Sequence, residues 1–586
     1  MYLFNEARKL DYTWKLWRRN SGELEIYDFG PQKDRIAWKK GGDLPFATPE
    51  SQGISSEELI NLYKEIGNTR EYKPHSLVIV KNGKVISSGD WKPYSVNIRH
   101  MTHSMCKSVV SLAVGIAEKE GLLTLNEKLG DIFRESFNQI IPKRLREATV
   151  EHLLTMTTGA KFAEADVIFV PDWFKKMIES DTKWAPGTKF EYNSLNTYML
   201  AAVIEKKSGM GLCEYLKPRL FDILDIQDML WEKSPEGIAK GGWGCYLSAM
   251  EMAKLGLLCM NGGRWQKDGR WIEVVPEDYI RRAVTPIKLP VRGFFGYGYQ
   301  IWTAEEGYMF NGMFGQYVIV FPEQNTVIAM TSGNDRIFAE KPLYDIFAKY
   351  FVKGKARKSL PLSRQALAKL RKMEKSLEYG KKITDESIGV KMQNMFFADR
   401  MPEQAKKLDG VSYRIAQPSA AVMPLMLQCL QGNYSTGIKE IKFEIEDGIF
   451  YFTILNQTET RKMPVGFGDY IEAEETFGGE KYITATKGEF KTDEDDNLVL
   501  KITMCFTETT STRMIKIVFL ENDEILLKMS ETPVFERLIK DFFASDNENV
   551  PKGIRNTIDK EQEIMELVIA HMADPVIKGK KRPKFK

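Results

Sequence analysis

The stretch that most constrains this chain is Thr102-His103-Ser104-Met105-Cys106-Lys107, which opens onto the apolar run Ser108 to Ala117 and stops at Glu118-Lys119-Glu120-Gly121. A polar cap, a long apolar segment and a glycine stop describe a helix that must be buried on most of its surface. If Ser104 lies in the first turn, Lys107 returns to nearly the same face and its amine reaches the serine oxygen. A serine hydroxyl is a weak nucleophile at neutral pH. A lysine pressed against an apolar helix can be its base, because burial disfavours the charged form. Free backbone N–H groups at the helix start add donors beside Ser104.

S-x-x-K alone is a poor signal, and the chain contains a second copy, Ser180-Asp181-Thr182-Lys183. That copy runs into Trp184-Ala185-Pro186-Gly187, which argues for a loop and against a helix start. It is read as coincidence. His103 adjoins Ser104 but projects from a different face, so a Ser-His dyad is not expected, and His100 with His103 has no third ligand nearby to make a metal site. No metal or cofactor is expected.

The surrounding pattern sets the fold. His75 to Gly89 holds two β-rich runs around Asn82-Gly83, the strongest short hairpin signal. Short helices follow, then Pro186-Gly187-Thr188-Lys189-Phe190-Glu191-Tyr192-Asn193-Ser194 leads into a helix from Thr197 to Gly209, with Tyr192 at its mouth. Strand runs alternate with turns from Gly296 to Thr331 and read as an antiparallel meander, which a helix at Lys341 to Val352 would cover. The expected class is α+β: an antiparallel sheet flanked by helices, with a helical subdomain inserted between the first strands and the last. Beyond residue 405 strands dominate, and the expectation is a C-terminal all-β barrel or sandwich. The expected divisions are 1–45, an N-terminal leader; 46–355, the catalytic domain; 356–404, a charged helical linker; 405–540, the β domain; and 541–586, a helical and basic tail whose end, Lys578 to Lys586, reads as solvated.

Composition excludes little but excludes it clearly. With 83 basic and 80 acidic side chains the formal net charge is +3, so no global field recruits nucleic acid. The N-terminus carries acidic residues early and has no long apolar segment, which points to neither a secretory signal nor a membrane anchor, and the six cysteines show no C-x-x-C spacing. The expected location is cytoplasmic. Oligomeric state is not legible.

Ser104-Met105-Cys106-Lys107, Tyr192-Asn193-Ser194 and Gly312-Met313-Phe314-Gly315-Gln316 occur in the order of the three motifs of serine hydrolases related to class C β-lactamases. The chain resembles that family, including its penicillin-binding D,D-peptidases, esterases and 6-aminohexanoate-dimer hydrolase branch, over roughly residues 45 to 355. His152 to Gly159, Pro186-Gly187-Thr188 and Gly241-Gly242-Trp243-Gly244 are similar to family sequence as well. The resemblance implies a β-lactamase/transpeptidase-like fold, Ser104 as acylated nucleophile, Lys107 as its partner and Tyr192 as shared base. It further implies an oxyanion hole from the backbone N–H groups of Ser104 and Gln316, and substrate contacts from Ser194, Met313, Phe314 and Gly315. Two positions depart from the family pattern: Ser194 stands where asparagine is usual, and Met313 stands where a lysine or histidine usually binds a substrate carboxylate. Without that cation the expected substrate is a small ester or neutral amide. D-Amino-acid amidase, peptidase or β-lactamase activity is the alternative, and a non-catalytic protein binding peptides or cell-wall fragments is the rival from another class.

Overall fold

The computed structural model describes Gln32 and residues 40–583, apart from 137–142, 163–166, 168–169, 228, 292, 338–339, 354–356, 385–400, 418, 434, 457–458 and 535–572. Most of the expected leader and the expected helical part of the tail lie outside the described residues. The chain divides into two compact units, one formed by residues 37–332 and 338–384, the other by residues 385–586 with 1–36 and 333–337.

In the first unit the Asn82-Gly83 signal is a hairpin. β1 (Pro74–Lys81) and β2 (Lys84–Asp90) pair antiparallel across the two residues, whose φ angles of 50° and 74° suit a two-residue turn. Helix α1 (Ser56–Asn68) precedes them, started by a capping box in which Ser55 and Glu58 satisfy each other's backbone N–H groups. After β3 (His100–Met101), a 3₁₀ turn over His103–Met105 feeds α2 (Cys106–Lys119), buried from Cys106 to Ala117. The inserted helical part includes α3 (Val150–Leu154) and α4 (Ser194–Ser208). β4 (Leu230–Trp231) and β5 (Cys245–Leu247) join β3 in a small sheet, and α5 (Ala249–Met260) leads to the hairpin of β6 (Arg264–Lys267) and β7 (Arg270–Glu273).

The meander then arrives as β8 (Gly296–Tyr297), β9 (Trp302–Thr303), β10 (Tyr308–Gly312), β11 (Gln316–Phe321) and β12 (Thr326–Ser332). With the first hairpin these make a seven-stranded antiparallel sheet in the order β2-β1-β12-β11-β10-β9-β8. Helix α5 sits tightly on it: a Cβ at Gly256 would come within 2.5 Å of Val318 and 2.6 Å of Val327. Helix α6 (Glu340–Phe351) supplies Tyr344, whose ring lies 5.4 Å from that of Phe321.

Residues 357–384 of the segment read as a linker are part of this unit. Helix α7 (Arg364–Ser376) buries Ala366, Leu370 and Met373, a stripe at helical spacing obscured by the charges around it. It also closes the outer edge of β2, where Arg371 Nη2 donates to Ile86 O at 3.1 Å and Glu374 accepts from the Ser87 hydroxyl. Unpaired strand edges invite pairing with other chains, and a helix covering them prevents it.

The second unit is a closed barrel. Its strands are β13 (Ser412–Ile415), β14 (Glu440–Glu446), β15 (Ile449–Leu455), β16 (Thr460–Phe467), β17 (Ile471–Phe477), β18 (Glu480–Thr492), β19 (Leu498–Phe506), β20 (Thr512–Phe519), β21 (Glu524–Thr532) and β22 (Val576–Lys581). They run β16-β15-β14-β13-β22-β21-β20-β19-β18-β17, and a parallel pairing of β16 with β18 closes nine of them, leaving β17 outside the ring. Helix α8 (Leu425–Gln431) has its first amides, Leu425 and Met426, bonded by the buried Glu531 carboxylate at 2.7 and 3.0 Å. The basic end was expected to be solvated, yet β22 completes the barrel between β13 and β21. Ile577 and Gly579 face inward while the lysines point out, and so short an alternation is hidden by its own charge. Among the described residues no helix is long and apolar enough to cross a membrane.

Candidate active site

The Ser104 turn is fastened before the helix begins. Thr102 bonds Cys245 O of β5 twice, through its amide at 2.9 Å and its hydroxyl at 2.8 Å. His103 then takes φ = 48°, a left-handed conformation costly for a residue with a side chain. Its buried ring meets the ring of Phe314 edge-on, with centroids 5.5 Å apart. Ser104 therefore occupies a 3₁₀ turn rather than the first α-helical turn, and the three-residue spacing still brings Lys107 back to it.

Lys107 is buried, 2% exposed, and its Nζ lies 2.8 Å from Ser104 Oγ and 2.7 Å from Gly242 O. The same Nζ is 4.9 Å from the centroid of the Tyr192 ring. The structure thus brings together Ser104, Lys107 and Tyr192, which are far apart in sequence. Tyr192 is itself seated in aromatic rings: it stacks on Trp302 at 5.9 Å and meets Tyr297 edge-on at 6.4 Å, with Phe190 5.1 Å from Tyr297.

Gly242, for which the sequence offered a resemblance but no role, is the residue whose carbonyl accepts from Lys107. A Cβ there would lie 2.7 Å from Ser194 O and 2.9 Å from Ser194 Cβ, so only glycine lets this loop approach the start of α4. Asn193 caps α4 through Leu195 N at 2.9 Å and holds Phe162 O at 2.8 Å, while Ser194 is buried as the first helical residue. Behind the loop, Lys240 and Glu232 form an ion pair at 2.8 Å with exposures of 2% and 1%, and Tyr246 donates to the same carboxylate at 2.8 Å. A buried pair this well bonded fixes a loop more than it stabilises a fold.

The strand residue that meets the Ser104 turn is Gly312: a Cβ there would lie 2.3 Å from Thr102 O and 3.1 Å from Met105 N. Gln316, whose backbone N–H is the one expected in the oxyanion hole, sits opposite Gly312 in the ladder, and its fully buried side chain donates to Ser332 O at 2.7 Å and Met313 O at 3.2 Å. Phe314, expected to touch substrate, is 1% exposed and braces His103. Phe314 and Gly315, at φ 60° and 94°, turn the chain from β10 into β11, while Met313 remains half-buried. Motif spacing alone did not reveal which glycine is the contact, because both Gly312 and Gly315 satisfy it.

The second S-x-x-K is structural: Ser180 Oγ accepts from Phe162 N at 3.0 Å and Lys183 pairs with Glu191. Asp172 caps the helix Trp173–Ile178 through Lys175 N at 2.7 Å. Among the described residues no cluster of histidine, cysteine and carboxylate side chains could hold a metal ion.

Burial pushes His103 down to about 3, with the neighbouring His100 and Lys107 adding to the effect, so the ring is neutral and cannot serve as a cationic partner to Ser104. Its unfolded counterpart titrates near 6.5. Between the two values the unfolded chain binds more protons, so this histidine's contribution to stability is intact above pH ~6.5 and is lost on acidification, by up to about 1.4 kcal/mol per pH unit. Urea midpoints measured from pH 7 to pH 4 should fall less steeply for His103→Asn, which tolerates the same φ, than for the wild type; parallel curves would refute this.

Residues 65–342 match the family model described as Beta-lactamase. Over these residues, a little under half of the chain, the sequence is that of a β-lactamase-family domain. Among solved structures, the chain is similar to a candidate 6-aminohexanoate-dimer hydrolase from Bacillus anthracis, at 18% identity over 58% of this chain and 92% of that one, with a TM-score of 0.44. A penicillin-binding protein from Bacillus halodurans aligns at 18% identity over 50% and 97%, TM-score 0.37. An octameric penicillin-binding protein homologue from Pyrococcus abyssi aligns at 16% identity over 78% and 96%, TM-score 0.40. No curated protein sequence matches. The β-lactamase family comprises serine hydrolases, with amidases, esterases and penicillin-binding proteins among them.

Proposed function

We propose that the chain is a serine hydrolase that transfers an acyl group from a small ester or neutral amide to Ser104 and then to water. The observation that carries this reading is the seat of Lys107, a buried amine held between Ser104 Oγ and Gly242 O beneath Tyr192. In the neutral amine one N–H goes to Gly242 O, which leaves the nitrogen lone pair free to take the Ser104 proton as Oγ attacks the carbonyl carbon. Tyr192, against the resulting ammonium, is the group to relay the proton to the departing alcohol or amine. The backbone N–H of Ser104, with that of Met313 next to the contacting Gly312, is the donor pair for the oxyanion; Met313 replaces Gln316 in that role. The β10 end carries the half-buried Asn311 and Met313, neither of them cationic, which supports neutral substrates.

Intact mass spectrometry of wild type and Ser104→Ala after exposure to p-nitrophenyl acetate, p-nitrophenyl butyrate, a D-alanyl amide and a penicillin tests the proposal. The acyl increment is expected in the wild type alone and with the esters first. A folded wild type that gains no mass from any of them would overturn it.

A further inference from the structure

Gln300 lies in the tight turn between β8 and β9, 2% exposed, at φ = 60°. A left-handed glutamine in a buried turn is strained, and such strain persists where the surroundings hold it. Here three elements hold it. Its Nε2 donates to Leu153 O at 3.0 Å and Leu154 O at 2.8 Å, at the end of α3. Its Oε1 accepts from the Thr197 hydroxyl of α4 at 2.6 Å. Its main-chain O accepts from the Ser108 hydroxyl of α2 at 2.7 Å, and its N–H donates to Leu154 O at 3.1 Å. Two carbonyls facing the amide nitrogen and a hydroxyl facing the oxygen fix the orientation of the side chain.

The places it grips are those that set the candidate site. Ser108 follows Lys107 directly. Thr197 is one turn into the helix that begins at Ser194, and its carbonyl faces the glycine loop, 2.7 Å from where a Cβ at Gly241 would lie. Two residues beyond Gln300, Trp302 stacks on Tyr192. We infer that Gln300 is a positioning residue: one buried turn residue ties the Lys107 helix, through its main-chain carbonyl, to the helix that follows Tyr192, through its side-chain amide, and sets the approach of Tyr192 to Lys107. This rests on the acyl-enzyme reading above. It concerns geometry and not contact with substrate, since proton relays lose rate steeply when their groups drift by an ångström.

The test uses variants that each sever one arm and leave shape unchanged. Thr197→Val is close to isosteric and removes only the hydroxyl donor, and Ser108→Ala removes the other. Burst acylation by p-nitrophenyl butyrate is expected to slow about tenfold in Thr197→Val, with KM within about twofold of wild type and a displaced pH–rate midpoint. Thr197→Ser restores the donor and should restore both rate and midpoint. Thr197→Val and Ser108→Ala combined should cost less than the product of the single losses, because both act through one residue. Wild-type acylation rate and pH profile in both single variants, whatever their melting temperatures, would overturn the inference while leaving the acyl-enzyme reading intact. A wild type that is never acylated removes that reading and this inference with it.

Discussion

Lys107→Ala lowers the acylation rate of Ser104 by about 10²–10⁴-fold, the usual range for losing a positioned base. His103 cannot stand in for the amine. His103, beside the nucleophile in sequence, is buried against Phe314 and kept neutral, and its strained φ aims it away from a dyad. The same substitution leaves the Gly242 carbonyl without its 2.7 Å donor, so a loss of about 1–3 kcal/mol in stability is expected beside the rate loss. Burst kinetics with p-nitrophenyl butyrate, with urea unfolding as the check on folding, separates the two effects. Lys107→Arg keeps a donor for Gly242 O but cannot accept the serine proton, so it should recover stability and not rate. A Lys107→Ala protein that acylates within about threefold of wild type would remove the lysine from the mechanism.

Much of this arrangement was legible in the sequence because local chemistry and spacing coincided with the fold. The Asn82-Gly83 hairpin, the apolar α2 and the meander from β8 to β12 each carry a period that matches their burial. The Ser104–Lys107 pair was legible because three residues is close to one helical turn, whether the turn is α or 3₁₀. What stayed hidden depends on approach between segments. Gly242 offers the Lys107 amine a carbonyl, and a carbonyl is present in every residue. Gln300 looks like a polar turn residue until α2, α3 and α4 are placed around it. The apolar stripe of α7 and the two inward positions of β22 were masked by lysines and arginines, which cover apolar surface with their stems while their charges face solvent. What distinguishes Gly312 from Gly315 is likewise its neighbour across space.

That distinction has a large expected consequence. Gly312→Ala places a Cβ 2.3 Å from Thr102 O and 3.1 Å from Met105 N, both of them backbone atoms that cannot swing aside. Thr102 is pinned to Cys245 O by two hydrogen bonds, so it is the end of β10 that must retreat. Retreat is expected to carry the Met313 amide, the proposed second oxyanion donor, away from Ser104, and such donors are commonly worth about 10²–10³ in rate. Overpacking of this kind costs about 1–3 kcal/mol in stability. Gly83→Ala is the control: φ is 74° there, but nothing lies within 4 Å of the added atom. It carries only the conformational penalty, about 1–2 kcal/mol, and acylation should proceed at the wild-type rate. If Gly312→Ala and Gly83→Ala lose similar stability and only the former loses activity, the contact of β10 with the nucleophile turn is what the glycine serves. Equal activity in the two would return the second oxyanion donor to the Gln316 end of the turn.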